Sequence, residues 1–155
     1  MNREEVVERF RRTGALLEGH FVLTSGLHST QYLQCALVLQ HPAEAEAFGR
    51  AIAGQFRAGG VGAVAAPAIG GIIVGWEVAR ALNVRFIWTE REGGMMTLRR
   101  GFTVRPGERV LVVEDVITTG GSTRDTCDAL RAAGALVVGA ASIIDRSGGR
   151  SDVGV

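Results

Sequence analysis

Four runs of apolar residues, at 61–66, 84–88, 110–113 and 136–144, are continuous rather than alternating, and helical patterns separate several of them. A strand with one wet face alternates apolar and polar residues; a continuous run must be covered on both faces, as in parallel sheets. Residues 72–82 place Ile72, Ile73, Trp76, Ala79 and Leu82 at helical spacing, and residues 120–133 read as a further helix. This alternation predicts an α/β fold: an open, mainly parallel twisted sheet with helices on both faces. Such sheets bind ligands at the carboxyl ends of their strands. The loops beginning near Pro67, Thr89, Glu114 and Asp145 are therefore expected to share one edge. Residues 89–101, TEREGGMMTLRRG, match neither a helix nor a strand pattern well.

Ahead of this core, Asn2 with Glu5 three residues on is positioned to cap a helix carrying Val6, Val7 and Phe10, with Gly14 to end it. Residues 20–38 are strand-like, with Phe21, Val22 and Leu23 before a turn at Ser25-Gly26 and residues 32–39 after it. Pro42 then opens a helix that runs through Ala43, Phe48, Ile52 and Phe56 to Gly59-Gly60. A length of 155 residues suits one domain. We divide it into an N-terminal helix and small hood segment, 1–40, and an α/β core, 41–155.

The charge balance, 17 Lys+Arg against 16 Asp+Glu, gives no global field that would select nucleic acid or an anionic membrane. Any anion site must be local. Cys35 and Cys127 are too far apart in sequence and context to suggest a disulfide framework or a metal knuckle. The N-terminus lacks the pattern of an export leader, and no apolar stretch reaches the ~18 residues of a membrane span. These features lead us to expect a soluble, cytoplasmic protein.

Residues 110–123, VLVVEDVITTGGST, carry the chemistry. An apolar strand delivers two adjacent acids, Glu114 and Asp115, which are costly to bury unless something hydrogen-bonds them. A ribose diol offers two donors at matching spacing. The run Thr118, Thr119, Gly120, Gly121, Ser122 can turn backbone N–H groups toward one point at a helix N-terminus, which makes a phosphate cradle. A diol clamp beside a phosphate cradle describes a holder for ribose 5-phosphate. No Gly-Lys-Ser/Thr follows and there is no GxGxxG, so nucleoside triphosphate and dinucleotide readings lose ground.

This stretch resembles the 5-phosphoribosyl 1-diphosphate signature of the type I phosphoribosyltransferases. The remaining blocks are similar to the bacterial orotate-using members: GHFVLTSGLHSTQYLQCALVL at 19–39, APAIGGIIVGWEVAR at 66–80 and DRSGG at 145–149. The resemblance implies the type I phosphoribosyltransferase fold and transfer of ribose 5-phosphate from 5-phosphoribosyl 1-diphosphate to orotate, giving orotidine 5′-phosphate in pyrimidine biosynthesis. It implies that Glu114 and Asp115 hold the ribose diol and that Thr118, Thr119, Gly120, Gly121 and Ser122 hold the 5-phosphate. Ala68, Ile69, Gly70 and Gly71 would line the diphosphate with backbone amides, Tyr32, Leu33 and Thr118 would border the orotate, and Arg146 would meet its carboxylate. Mg²⁺ would accompany the diphosphate with no direct protein ligand, and a homodimer is implied.

Residues 89–101 occupy the place of the family's mobile catalytic loop but hold no Lys and no His. Arg91 is the positional counterpart of a loop lysine and the third catalytic candidate, with Arg99 and Arg100 as further cations. A guanidinium binds phosphate well but carries no proton shuttle at neutral pH. Thr24 stands where a lysine often contacts substrate. Outside the resemblance, Tyr32 reads as a core aromatic on a strand, Glu77 and Arg80 as a solvated i, i+3 pair, and His20, His28 and His41 carry no assigned chemistry. The ending at Val155 reads as early for the family, with an uncovered sheet edge and a liability to aggregate as the expectation. Two alternatives stand beside the orotate enzyme: a non-catalytic regulator that binds the donor, and a phosphoribosyltransferase for a purine base.

Overall fold

The computed structural model describes residues 1–22, 26, 28–149 and 151–155. The expected turn at Ser25-Gly26, the strand residue Leu23 and the departure at Thr24 fall wholly or partly outside the described residues. Two compact units make up the chain, residues 1–45 and 46–155.

In the first unit, helix α1 (Arg3–Arg12) begins as the sequence predicts. The Glu5 backbone N–H donates to Asn2 Oδ1 at 2.9 Å and the Asn2 N–H to Glu5 Oε2 at 2.8 Å, a reciprocal cap. Strands β1 (Leu16–Val22) and β2 (His28–Leu33) pair antiparallel, with the register broken between Glu18 and Phe21. The strand reading of residues 32–39 is corrected: β2 stops at Leu33 and Cys35–Leu39 is a short helix, α2. Cys35, Val38 and Leu39 are its buried residues, a spacing of three and four that matches a helical face. Glu44, almost fully buried, accepts from Arg9 at 2.5 Å and also from Arg12. Helix α3 (Pro42–Phe56) crosses from the first unit into the second.

The second unit is a five-stranded sheet in the order β5-β4-β3-β6-β7. Its strands are β3 (Ala63–Pro67), β4 (Arg85–Glu92), β5 (Met95–Leu98), β6 (Arg109–Ile117) and β7 (Leu136–Asp145). The four strands expected from the apolar runs are parallel, and β5 alone is antiparallel, on β4. Helices α4 (Gly71–Leu82) and α5 (Gly121–Ala132) pack on the sheet. Because side chains alternate across a strand, each central strand supplies two cores. Ala63, Ala65, Ile87, Val110 and Val112 meet Cys127 and Leu130 of α5. On α4, a Cβ at Gly75 would come within 2.6 Å of Phe86 and 3.1 Å of the Ala66 Cβ, so only glycine permits that approach.

Residues 89–101 are not an irregular loop. β4 continues to Glu92, turns at Gly93-Gly94, both at positive φ, and returns as β5. Glycine satisfies the left-handed backbone of such a tight turn without strain. Likewise β6 runs past Val113 to Ile117, so Glu114 and Asp115 lie within the strand rather than beyond it. No helix among the described residues is long and apolar enough to cross a membrane.

Candidate active site at the carboxyl edge

Parallel pairing brings the ends of the strands together. Pro67 is opposite Thr89 and Ile117 opposite Asp145, so the four loops named from the sequence emerge on one edge. At its centre the carboxyl groups of Glu114 and Asp115 come together, and both border the start of α4. Asp115 turns toward the start of α4, where a Cβ on Gly70 would stand 2.7 Å from Oδ1 and 2.8 Å from Oδ2. Glu114 turns to a cavity of about 70 Å³ lined by itself and residues 116–123. It is only 7% exposed, and burial, then the neighbouring Asp115 carboxylate, push its carboxyl up to about 8. A carboxyl with that pKa is largely protonated at neutral pH, so the pair presents a donor as well as acceptors.

Residues 118–122, expected to hold a phosphate, lead from the end of β6 into the first turn of α5. Gly120, at φ 78°, is the N-cap of α5 and offers no side chain to the helix end. The first turn of α5 therefore faces the cavity with its backbone N–H groups, where the helix dipole favours an anion. Residues 151–153 press on the cradle from outside: a Cβ at Gly120 would meet Val153 at 3.1 Å and Ser151 at 3.2 Å. Arg124 donates to the Asp152 carbonyl and holds this tail on α5. Nothing in the sequence signals that packing.

In the turn between β3 and α4, the Ala68–Ile69 peptide is cis. The Ala68 N–H donates to the Thr89 carbonyl at 2.8 Å. Of the four amides expected to line a diphosphate, that one is already occupied, which leaves Ile69, Gly70 and Gly71 as the candidates. Ile69 itself is 84% exposed.

Arg91 lies at the end of β4, where its guanidinium donates to Asp125 of α5 at 2.8 Å and to the Gly94 carbonyl at 2.9 Å. Asp125 was not singled out from the sequence; it lies 34 residues from Arg91. The other hairpin arginines are also paired, Arg100 through two bonds to Glu90 and Arg99 to Glu92 at 3.4 Å. Beneath them the hydroxyls of Thr89 and Thr126, both fully buried, meet at 2.9 Å and fasten β4 to α5.

The Arg146 backbone N–H donates to the Ile117 carbonyl at 2.8 Å, which fixes this residue beside the start of the cradle. Tyr32 and Leu33 belong to the first unit, at the end of β2, where the Tyr32 ring packs 5.6 Å from that of Phe21. Glu77 and Arg80 form the expected i, i+3 pair, but Glu77 is mostly covered rather than solvated. Among the described residues, no three His, Cys, Asp or Glu side chains converge on a point that could hold a metal ion.

Comparison with known proteins gives a consistent result. The phosphoribosyl transferase domain model matches residues 36–153. The orotate phosphoribosyltransferase of Pelotomaculum thermopropionicum is 59% identical over 155 residues, covering 100% of this chain and 82% of that protein. That of Desulforamulus reducens is 53% identical, with 100% and 81% covered. Among solved structures, orotate phosphoribosyltransferase from Aeropyrum pernix superposes with a TM-score of 0.79 at 28% identity, covering 96% of this chain and 84% of that one.

Proposed function

The chain belongs to the orotate phosphoribosyltransferase family, and from that membership we propose that it transfers the ribose 5-phosphate of 5-phosphoribosyl 1-diphosphate to a ring nitrogen of orotate. The bond between C1′ and the diphosphate oxygen breaks, its electron pair leaves with the diphosphate, and a bond from C1′ to nitrogen forms as the nitrogen gives up its proton. The observation that carries this reading is the arrangement on β6 and α5: an acid pair in the strand and, within a few residues, an uncapped helix N-terminus opening on a cavity.

Such a reaction passes through a ribosyl cation, so the protein's work is anchoring, neutralising charge and excluding water rather than covalent catalysis. Glu114 and Asp115 hold the diol, and the largely neutral Glu114 can both donate to and accept from a hydroxyl. Residues 118–122 anchor the 5-phosphate. Gly70 and Gly71 let the backbone approach the diphosphate, and Arg91 exchanges Asp125 for that anion. Thr118 borders the orotate ring, and Arg146 answers its carboxylate. Mg²⁺ would accompany the diphosphate, held mainly by substrate oxygens rather than by this chain's side chains, and would supply neutralising charge there.

Two further features belong to this reading. The exposed Ile69, Ile73 and Trp76 form an apolar face at and beyond the start of α4, which supports a homodimer. Cys35 and Cys127 are buried free thiols, as suits a reducing cytoplasm.

The test is direct. Purified protein with orotate, 5-phosphoribosyl 1-diphosphate and Mg²⁺ should consume orotate absorbance, and uracil and hypoxanthine should not substitute. Arg146→Ala should then raise the KM for orotate far more than that for the donor. Folded protein that binds the donor but leaves orotate untouched supports the regulator instead, and turnover of hypoxanthine the purine enzyme.

A further inference from the structure

A cavity of about 260 Å³ lies away from the acid pair, and its lining is almost entirely arginine: Arg50, Arg57 and Arg80, with Ala81. Its position follows from the fold. α4 starts at Gly71 beside Glu114 and runs twelve residues, about 18 Å at 1.5 Å per residue, so Arg80 in its last turn is at the opposite edge of the sheet. Arg57 sits in the short 3₁₀ turn Arg57–Gly59 that leads into the start of β3, on that same edge.

The charges around this cavity do not balance. Glu46 accepts from Arg50 at 2.5 Å and from Arg80 at 3.1 Å, and Glu77 takes Arg80 at 2.7 Å. Two carboxylates therefore serve Arg50 and Arg80, and Arg57 pairs with no carboxylate among the described residues. Arginines near helix C-termini ordinarily complement the helix dipole, and that accounts for Arg80 and Arg57 taken singly. It does not account for Arg50, more than a turn inside α3, nor for the convergence of all three on one cavity. The dipole amounts to about half a charge at each helix end, less than the one positive charge left over when Glu46 and Glu77 are set against three guanidinium groups, whose planar forks suit phosphoryl oxygens.

We propose that this arginine cavity is a second anion site, for a compact anion of the inorganic phosphate or diphosphate class, distinct from the cradle at residues 118–122. Glu46 remains in place as the spacer that fixes Arg50 and Arg80, and Arg57 supplies the uncompensated charge that selects an anion.

Calorimetric titration of the full chain with inorganic diphosphate, without metal, tests this. Wild type should show two binding events per chain. Arg57→Ala should weaken one at least tenfold, and Arg50→Ala the same one, while Arg91→Ala, which removes the cation assigned to the diphosphate of the donor, should weaken only the other. Arg57 is exposed, so its truncation should leave the melting temperature and the turnover without added anion unchanged. One event in wild type that only Arg91→Ala weakens, or two events indifferent to both Arg57→Ala and Arg50→Ala, overturns the proposal. Because the readout is binding, it stands or falls separately from orotate turnover.

Discussion

The Asp115 carboxylate stands so near the α-carbon of Gly70 that a single methyl group would not fit between them: an ideal Cβ would lie 2.7 Å from Oδ1. The acid pair of β6 and the turn before α4 are thus one object, and the glycine is required by contact with a carboxylate rather than by its φ. Replacing Gly70 with alanine should push Asp115 off its position at a steric cost of about 1–3 kcal/mol. The expected outcome is a donor KM raised about tenfold or more with a smaller effect on orotate, read by varying each substrate in turn. An unchanged donor KM would show that Asp115 can retreat without loss.

Glu114 makes the fold sensitive to pH. Its carboxyl titrates near 4.5 when exposed and at about 8 in the folded chain. Below pH 4.5 both states are protonated and the stability is complete. As pH rises from 4.5 to 8, the unfolded chain ionises while the folded one resists, so stability falls, by up to about 1.4 kcal/mol per pH unit from this group. Above 8 the loss is complete. Glu114→Gln removes the titration, so urea denaturation should find the variant gaining on wild type between pH 5 and pH 8. A difference that stays constant across that range is incompatible with a buried, uncompensated carboxyl.

Arg91 should separate function from stability. Its bond to Asp125 joins two side chains that are each nearly half exposed, and such pairs are worth less than about 1 kcal/mol. Arg91→Ala should lower the melting temperature by no more than about 4 °C for a chain of this size. If Arg91 meets the diphosphate, loss of a charge-assisted bond worth roughly 1.5–3 kcal/mol should raise the donor KM about tenfold to a hundredfold. A large thermal shift with unaltered kinetics assigns the residue to the fold alone.

Thr89 and Thr126 form a closed pair of buried hydroxyls. Changing either to valine strands the other, at a cost of about 1–3 kcal/mol, whereas changing both removes the polar groups together. The double variant should therefore be more stable than the sum of the two single changes predicts, a coupling that a double-mutant cycle in urea measures. Simple additivity would mean that the hydroxyls do not depend on each other.

Much of this architecture was legible in residue order. Continuous apolar runs announced strands 61–66, 84–88, 110–113 and 136–144 because burial on both faces leaves no polar position to alternate, and the structure keeps all four as parallel strands with adjusted ends. The cap of α1 was legible because it is local, two residues three apart. Residues 35–39 fit a strand as well as a helix, because five apolar-rich residues satisfy either period, and burial of Cys35, Val38 and Leu39 on one face decides for helix. Residues 89–101 fit no template because a charged run, a glycine pair and a short apolar run follow one another without a period; pairing along β4 and the Gly93-Gly94 turn supplied the order.

The sequence by itself determined the composition of the candidate site: two acids followed by a glycine and hydroxyl run at the end of a buried strand, a pattern confined to a few consecutive residues. Tertiary structure decided which groups at that site are already occupied and how they are charged. Asp115 against Gly70, Arg91 against Asp125, Ala68 N–H on Thr89 and the tail on Gly120 all join residues distant in the chain. The pKa of Glu114 belongs with them, since desolvation depends on what the folded chain packs around a carboxyl, and no run of neighbouring residues specifies that.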